Sequence, residues 1–179
     1  MNTPTRVSYT HPAGKYYVGD LCYALEDSVY TNVWGGQHKY KMGSYLIESN
    51  GKQGMFSVNR TLYGDGLYLD KNSGFMEFMV DAGIIGILPY DLCDPNEIKN
   101  GMIHGGHIIE SSTEVEFDSN DGYFVITYNK NDDDNSMIII ETGIDSDDED
   151  DNSYETYSDE SEVDEVNTKL DMVSLTTKQ

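Results

Sequence analysis

Aspartates at predicted turns are the residues of this chain with the clearest potential for chemistry. Asp20, Asp65 and Asp81 each lie at a predicted turn or strand end. Two or three carboxylates that converge can hold a hard divalent cation or act as an acid–base pair. The competing interpretation, which the sequence favours, is that each carboxylate caps a turn by accepting hydrogen bonds from backbone N–H groups. Asp20 and Asp81 are the pair best placed for a site, and all three are the candidate metal ligands.

Cys22 is the candidate nucleophile, because a thiol beside a histidine can attack a carbonyl carbon. The chain offers four histidines as its base: His11, His38, His104 and His107. No cysteine-hydrolase signature surrounds Cys22, and its neighbours Leu21 and Tyr23 favour an inert core thiol. The catalytic candidates are therefore Asp20, Cys22 and Asp81, with turn capping and thiol burial as the alternative.

Four other motifs resemble sites but favour structural interpretations. Cys93 has acidic neighbours, which raise the pKa of a thiol. His104-Gly105-Gly106-His107 has a metal-like spacing, but zinc needs further ligands and a glycine turn explains the same residues. Residues 118–122 depart from a calcium loop and predict a hairpin turn. Gly35-Gly36 predicts a helix end, since the signature of a phosphate-binding loop does not follow it.

The elements that must position these residues are predicted to be strands. Short apolar or alternating segments recur between clusters of glycine, asparagine and aspartate, which is typical of an antiparallel sandwich or small barrel. An Asn-Gly pair at residues 50–51 is a strong hairpin signal. Residues 24–34 have helical spacing, and residues 89–93 fit a single turn. We therefore expect an all-β domain with at most one helix. The predicted strands are residues 16–18, 42–47, 54–59, 67–69, 75–80, 84–88, 115–117, 123–128 and 137–141.

Charge divides the chain into two parts. The net charge is -22, and residues 145–179 carry 13 acidic and 2 basic residues, half of the net charge in a fifth of the length. A segment so polar cannot bury enough surface to offset its ordering entropy. We expect a β-rich globular domain at residues 1–144 and a disordered acidic tail at 145–179. Such a tail is suited to binding basic partner proteins.

Composition also excludes several classes of function. A domain that is itself acidic argues against direct binding to nucleic acid, and the chain contains no apolar run long enough to span a bilayer. The N-terminus lacks the apolar core of a signal peptide, and two cysteines do not make a disulfide scaffold. We therefore expect a reduced, intracellular and soluble protein without a cofactor.

Two blocks of sequence resemble a known group of proteins. YYVGDLCY at residues 16–23 resembles the YYIGDPCYV opening of a small uncharacterised family from bacteriophages, bacteria and large DNA viruses. YGDG at 63–66 and VDAGIIGI at 80–87 are similar to the family's second block, YGDG…VDAGxIGI. The resemblance covers roughly residues 14–94 and departs at Leu21, where the family usually has proline, so the turn there is looser. It implies a shared β-rich fold and a viral or phage-like origin, with the host cytoplasm or the virion as location. It implies no activity.

Two hypotheses of function remain. The first is a non-enzymatic β-domain that acts through protein contacts, with the acidic tail binding basic partners. The 14 tyrosines of the chain fit strands and also suit contact surfaces. The alternative is a small metal- or ligand-binding hydrolase whose site gathers Asp20, Cys22, Asp65 and Asp81. That alternative requires these four side chains to converge.

Overall fold

The computed structural model describes residues 6–130 and 136–143, and within these ranges the chain is mostly β. Predicted loop residues 131–135 and the predicted tail at 145–179 lie outside the described residues. All strand pairings in the described ranges are antiparallel. The strands are β1 (Arg6–His11), β2 (Gly14–Gly19), β3 (Gly43–Ser49), β4 (Lys52–Arg60), β5 (Gly66–Leu69), β6 (Glu77–Val80), β7 (Ile84–Pro89), β8 (Gly106–Ser111), β9 (Val115–Asn120), β10 (Tyr123–Tyr128) and β11 (Ser136–Glu141).

The described strands form a sandwich-like arrangement and no closed barrel, which confirms the all-β prediction. Strands β1, β9, β10 and β11 make a four-stranded sheet in the order β1-β9-β10-β11. The second sheet has five strands in the order β3-β4-β7-β2-β8, and β5 and β6 form a separate hairpin. The short segment between β1 and β2 carries the chain from the first sheet to the second.

Local turn chemistry fixes two of the hairpins. Asn50 and Gly51 join β3 to β4 with φ values of 55° and 70°, as a type I′ turn requires. Asp121 and Gly122 join β9 to β10 in the same way, with φ values of 50° and 74°. Asp118 is part of β9 and pairs with Arg6 at 2.9 Å. The predicted hairpin over 118–122 is therefore confirmed.

The five-stranded sheet is buried on both of its faces. Alternate residues of β7, the central strand, enter two different cores, and this explains its continuous apolar run. Ile85 and Ile87 pack in the core that includes the four-stranded sheet and the β5–β6 hairpin. Ile84 and Leu88 pack in a second core, which helical segments and loops cover. The predicted candidate residues lie at one end of this central sheet.

The predicted helix is present, but its bounds and its type differ from the prediction. A short 3-10 turn (Leu21–Tyr23) comes first, and a π-helix (Val29–Gln37) follows. Gly35-Gly36 lies inside this helix, so the predicted helix end at these glycines is wrong. Gly35 leaves room for the ring of Tyr40, whose nearest atom would be 2.3 Å from a Cβ at this position. In the ranges that the structure describes, none of the helical segments is long and apolar enough to cross a membrane.

Two strands were not predicted. Burial in β1 does alternate, because Val7 and His11 are buried while Arg6 and Ser8 are exposed, but four of its six residues are polar. Strand β8 begins at Gly106, directly after a turn at Gly105 with a φ of 75°. The predicted glycine turn is therefore confirmed, and a strand follows it at once.

Candidate functional site

Asp20 is a buried carboxylate that ties two distant segments of backbone together. Its Oδ1 accepts a hydrogen bond from the N–H of Cys22 at 3.0 Å and so caps the 3-10 turn after β2. Its Oδ2 accepts bonds from the N–H groups of Asp81 and Ala82, at 2.8 and 2.7 Å, in the turn between β6 and β7. Three of the roughly four acceptor positions of a carboxylate are thus used by the backbone. This arrangement is the turn-capping alternative, extended across the fold.

The backbone N–H of Asp81 donates to the Asp20 carboxylate, and the side chain of Asp81 is exposed. The Asp81 Oδ2 accepts a hydrogen bond from the Tyr23 hydroxyl at 2.5 Å. The ring of Tyr23 packs edge-on against His104, with 4.7 Å between centroids. Burial and the hydrogen bond to Asp81 raise the pKa of the Tyr23 hydroxyl above its ordinary value, so Tyr23 stays a hydrogen-bond donor. The two aspartates predicted to pair are adjacent. The carboxylate of Asp20 is bonded to the backbone, whereas that of Asp81 is exposed and bonded to Tyr23.

Cys22 lies close to all three candidate aspartates. Burial raises the pKa of its half-buried thiol, and the negative charges of Asp20, Asp81 and Asp65 raise it further. Direct hydrogen bonds join Asp20 to the backbone of Cys22 and of Asp81, and Asp65 acts on the thiol through its charge alone. Their charges, however, stabilise the neutral thiol and disfavour the thiolate, which is the nucleophilic form. The cluster has the opposite electrostatics to an activated cysteine site.

The four candidate bases lie elsewhere or are already engaged. In the described residues, none of the four histidines makes a hydrogen bond to Cys22. His38 packs against Tyr45, and the Nε2 of His107 lies 2.9 Å from the carbonyl oxygen of Glu77. In the same part of the chain, no group of three or more His, Cys, Asp or Glu side chains could hold a metal ion. The metal assignment to Asp20, Asp65 and Asp81 therefore gains no support from geometry.

Three other aspartates, Asp70, Asp91 and Asp94, cap turns or form an ion pair on the surface. Asp70 is buried and accepts bonds from the N–H groups of Asn72, Ser73 and Ile139. Its burial acts to raise its pKa, but these hydrogen bonds outweigh burial and the pKa is lowered. Asp94 accepts a bond from the N–H of the nearby Asn96. These residues hold the fold, as the capping interpretation predicts.

Cys93 is buried, and burial together with Asp91 raises the pKa of its thiol to about 12. The carboxylate of Asp91 forms an exposed ion pair with Lys52 at 2.8 Å. The predicted rise in the pKa of the Cys93 thiol, which makes it a poor nucleophile, is confirmed. Burial contributes more to this rise than the acidic neighbour does. Neither cysteine of the chain is activated.

An aromatic groove, which sequence reasoning missed, lies beside the π-helix. It has a volume of about 460 Å³, and three of its large side chains are well exposed: Tyr40 at 41%, Leu62 at 60% and Tyr63 at 58%. Trp34 is buried at its base and packs edge-on against Tyr40, with 5.2 Å between centroids. The groove is lined by Tyr30, Trp34, Tyr40, Met42, Arg60, Thr61, Leu62, Tyr63, Gly64, Ala82, Gly83 and Ile84.

The wall of the aromatic groove adjoins the end of the described chain. The N–H of Leu62 donates to the Oγ1 of Thr142 at 2.8 Å, and the N–H of Tyr63 donates to the Thr142 carbonyl oxygen at 2.9 Å. Residue 143 is the last that the structure describes, and the acidic segment follows in the sequence. The last described residues therefore lie at the rim of the groove.

Tyr40 is held in an uncommon conformation at this groove. It and Lys39 have φ values of 52° and 56°, in the left-handed region that costs a non-glycine residue free energy. The Trp34 Nε1–H donates to the carbonyl oxygen of Lys41 at 2.9 Å and fixes the loop after the helix. The exposed aromatic ring of Tyr40 is thus presented by a strained, well-anchored turn.

Comparison of the chain with protein-family models, with curated proteins and with solved structures gives no match. The resemblance to the phage, bacterial and large-DNA-virus family therefore stays a prediction. Within the blocks that carry it, Asp20 of the first block accepts hydrogen bonds from Asp81 and Ala82, which lie in the 80–87 part of the second.

Proposed function

We propose that this protein acts inside a cell by binding another protein, with the aromatic groove as its main contact surface. What supports the proposal is the exposure of Tyr40, Leu62 and Tyr63 around one concave surface. Exposed apolar patches rimmed by polar residues mark interaction sites, and tyrosine is a residue type that frequently dominates binding energy. A partner of this groove offers a short apolar or aromatic segment.

The acidic segment adds a second contact. It carries a net charge of -11 over residues 145–179, and it follows in sequence the described Thr142, which contacts the rim of the groove. A partner with basic residues beside its apolar segment can engage both surfaces at once. Two linked contacts raise the overall affinity through effective concentration, and the charged contact makes binding weaken with salt. Basic proteins with a neighbouring apolar segment are therefore the proposed partner class.

The experiment compares the partners captured by the full chain and by three variants. The first variant lacks residues 145–179, the second carries Leu62→Ser with Tyr63→Ser, and the third carries Phe75→Ser. Phe75 is the matched control, because it is 90% exposed and lies on the β5–β6 hairpin, outside the aromatic groove. Capture is repeated from low to high salt, and the fluorescence of Trp34 verifies that each variant is folded.

We expect the groove variant to lose the partner at every salt concentration. The truncated chain should bind weakly and lose most of its salt dependence, while Phe75→Ser should bind like the unmodified chain. If all four proteins capture the same partners with the same salt dependence, the proposal is wrong in both parts. If only the truncation matters, the groove is not the contact surface.

The second candidate function is a small metal- or ligand-binding hydrolase. What favours it is that Asp20 bonds the backbone of Cys22 and of Asp81, and that the charge of Asp65 reaches the Cys22 thiol. The raised pKa of the Cys22 thiol and the engagement of Asp20 by three N–H groups argue against it. Hydrolysis of a thioester or ester substrate that stops on Cys22→Ser and on Asp81→Asn would establish it.

A further inference from the structure

The five-stranded sheet contains a gap where its central strand ends. Strand β7 pairs with β4 only from Ser57 to Arg60 and with β2 from Tyr16 to Gly19. After Pro89 the chain leaves the sheet in a 3-10 turn (Tyr90–Leu92). The first residues of β4 and of β2 therefore face each other with no strand between them. A cavity of about 450 Å³ fills this space, a size typical of small-molecule sites. We call it the sheet-gap cavity.

The walls of the sheet-gap cavity are mostly apolar and close-fitting. Pro12, Met55, Pro89 and Leu92 contribute them, and Gly54 keeps one wall clear. A Cβ on Gly54 would lie 2.9 Å from the Leu92 Cδ1, so a larger residue there would displace this wall. The cavity thus suits a compact apolar group of about two or three aromatic rings.

Two lysines give the cavity a positive rim on an otherwise acidic protein. The Lys15 Nζ lies 4.0 Å from the centroid of the Tyr90 ring, and in the described residues it makes no ion pair. Lys52 is paired with Asp91, and both of these side chains are more than half exposed. Among the described residues, Lys15 is therefore the rim lysine without an ion pair, and Glu110 stands opposite it in the register of β2 and β8. The body around it has 20 acidic and 9 basic residues over 1–144.

His11 forms part of the cavity wall and holds an orphaned polar atom. Its side chain is 1% exposed, and its Nε2 lies 2.9 Å from the Ser57 Oγ, which in turn lies 2.7 Å from the Ser44 Oγ. The Nδ1 of His11 is buried without a hydrogen-bond partner among the described residues. Buried polar atoms in folded proteins almost always have a partner. The cavity is therefore lined by a neutral, buried imidazole whose Nε2 is already engaged.

We propose that the sheet-gap cavity binds a small organic anion with an apolar body, such as an aryl or alkyl carboxylate or sulfonate. The apolar body packs between Met55, Pro89 and Leu92. The anionic group meets the ammonium of Lys15, where the ring of Tyr90 already orients it. The ring of His11 lines the cavity beside this anion. This site is separate from the aromatic groove, so it stands whether or not the groove binds a protein.

Two fluorescent probes that differ by one charge test the proposal. Anilinonaphthalene sulfonate has an apolar body and an anionic group, and phenylnaphthylamine is the same molecule without the sulfonate. Both are titrated into the full chain, and into the variants Lys15→Met, Lys99→Met and Leu62→Ser with Tyr63→Ser. Lys99→Met is the matched control, since Lys99 is exposed and lies outside the cavity. The groove variant reports probe bound at the other apolar surface.

We expect saturable binding of the sulfonate probe, weakened roughly tenfold by Lys15→Met and unchanged by the other variants. The neutral probe should bind the unmodified chain and Lys15→Met equally. The ring-nitrogen NMR signals of His11, which lines the cavity, should shift on binding of the sulfonate probe. No saturable binding, equal effects of Lys15→Met and Lys99→Met, or unmoved His11 signals would each overturn the proposal.

Discussion

Replacing Asp20 by asparagine removes the charge and one acceptor position from a buried group that holds three backbone N–H groups. The amide oxygen can take the place of Oδ2 and keep the bonds from Asp81 and Ala82. The amide nitrogen then faces the N–H of Cys22, donor against donor, in the place of Oδ1. The variant therefore loses the hydrogen bond from Cys22. The hydrogen bonds from Asp81 and Ala82 remain, but their acceptor becomes neutral.

The size of the effect follows from these bonds. A hydrogen bond to a charged group contributes about 1.5–3 kcal/mol, and a buried donor left without a partner costs about 1–3 kcal/mol. The loss of the Cys22 bond with weakening of the other two gives a fall of about 3 kcal/mol in the free energy of unfolding. Asp81→Asn is the matched control. Its exposed carboxylate bonds only the Tyr23 hydroxyl among the described residues, so it should lose less than about 1 kcal/mol.

Urea unfolding measures both variants, because Trp34 is the single tryptophan of the chain and is buried. With a slope of about 2 kcal/mol per molar urea, the Asp20→Asn midpoint should fall by about 1.5 M. A fall of less than about 0.5 M, or equal falls for Asp20→Asn and Asp81→Asn, would refute the reasoning. Asp20 would then not be the cross-link that the geometry describes.

Three further perturbations test other parts of the fold. Burial lowers the pKa of His11 from 6.5 to about 4, so the unfolded chain binds the proton more readily. Stability should therefore fall as the pH drops from about 6.5 to 4, by roughly 3 kcal/mol in all. Gly86→Ala should cost about 1–3 kcal/mol in urea unfolding, because the new Cβ would lie 2.7 Å from the Ser57 carbonyl oxygen and 2.8 Å from the Leu21 Cδ1. At neutral pH, iodoacetamide should alkylate the thiol of Cys22 at least about tenfold more slowly in the native chain than in urea, since its pKa is raised.

Each of these measurements has its own control and its own contradiction. His11→Phe keeps an aromatic ring and removes the titration, so its stability should change less with pH in the same window. An equal slope in both proteins would contradict the assignment to His11. Gly51→Ala is the control for Gly86→Ala, because Gly51 has a positive φ but no atom within 4 Å of an added Cβ. A smaller loss of unfolding free energy for Gly86→Ala than for Gly51→Ala would contradict the crowding at Gly86. Cys93→Ser isolates the thiol of Cys22, and equal native and unfolded alkylation rates would contradict its protection.

Local chemistry explains why much of the sheet could be predicted. The Asn50-Gly51 turn needs only two residues with positive φ, and the apolar run of β7 needs only burial on both faces. Strand β1 could not be found in this way, because its inward residues include the polar His11, which is buried by long-range packing. The helical spacing located the helix, but it did not indicate the π type.

The candidate site was predicted in position but not in role. Sequence reasoning paired Asp20 with Asp81, and the two residues are joined. The acceptor, however, is the Asp20 carboxylate and the donor is the Asp81 backbone, which no residue pattern specifies. The aromatic groove depends on a contact between Leu62 and Thr142, 80 residues apart, so its exposed side chains carried no local signal. Long-range hydrogen bonds to the backbone therefore determine both the role of Asp20 and the position of the groove.

The central claim is that the Asp20–Asp81 region builds the fold and that the aromatic groove carries the function. The most direct measurement is the affinity of one purified partner for the unmodified chain, for Leu62→Ser with Tyr63→Ser, and for Cys22→Ser with Asp81→Asn. The account predicts that the groove variant binds at least about tenfold more weakly, about 1.4 kcal/mol in binding free energy, while the Cys22 and Asp81 variant binds normally. Normal binding by the groove variant, with loss of binding in the Cys22 and Asp81 variant, would contradict the account.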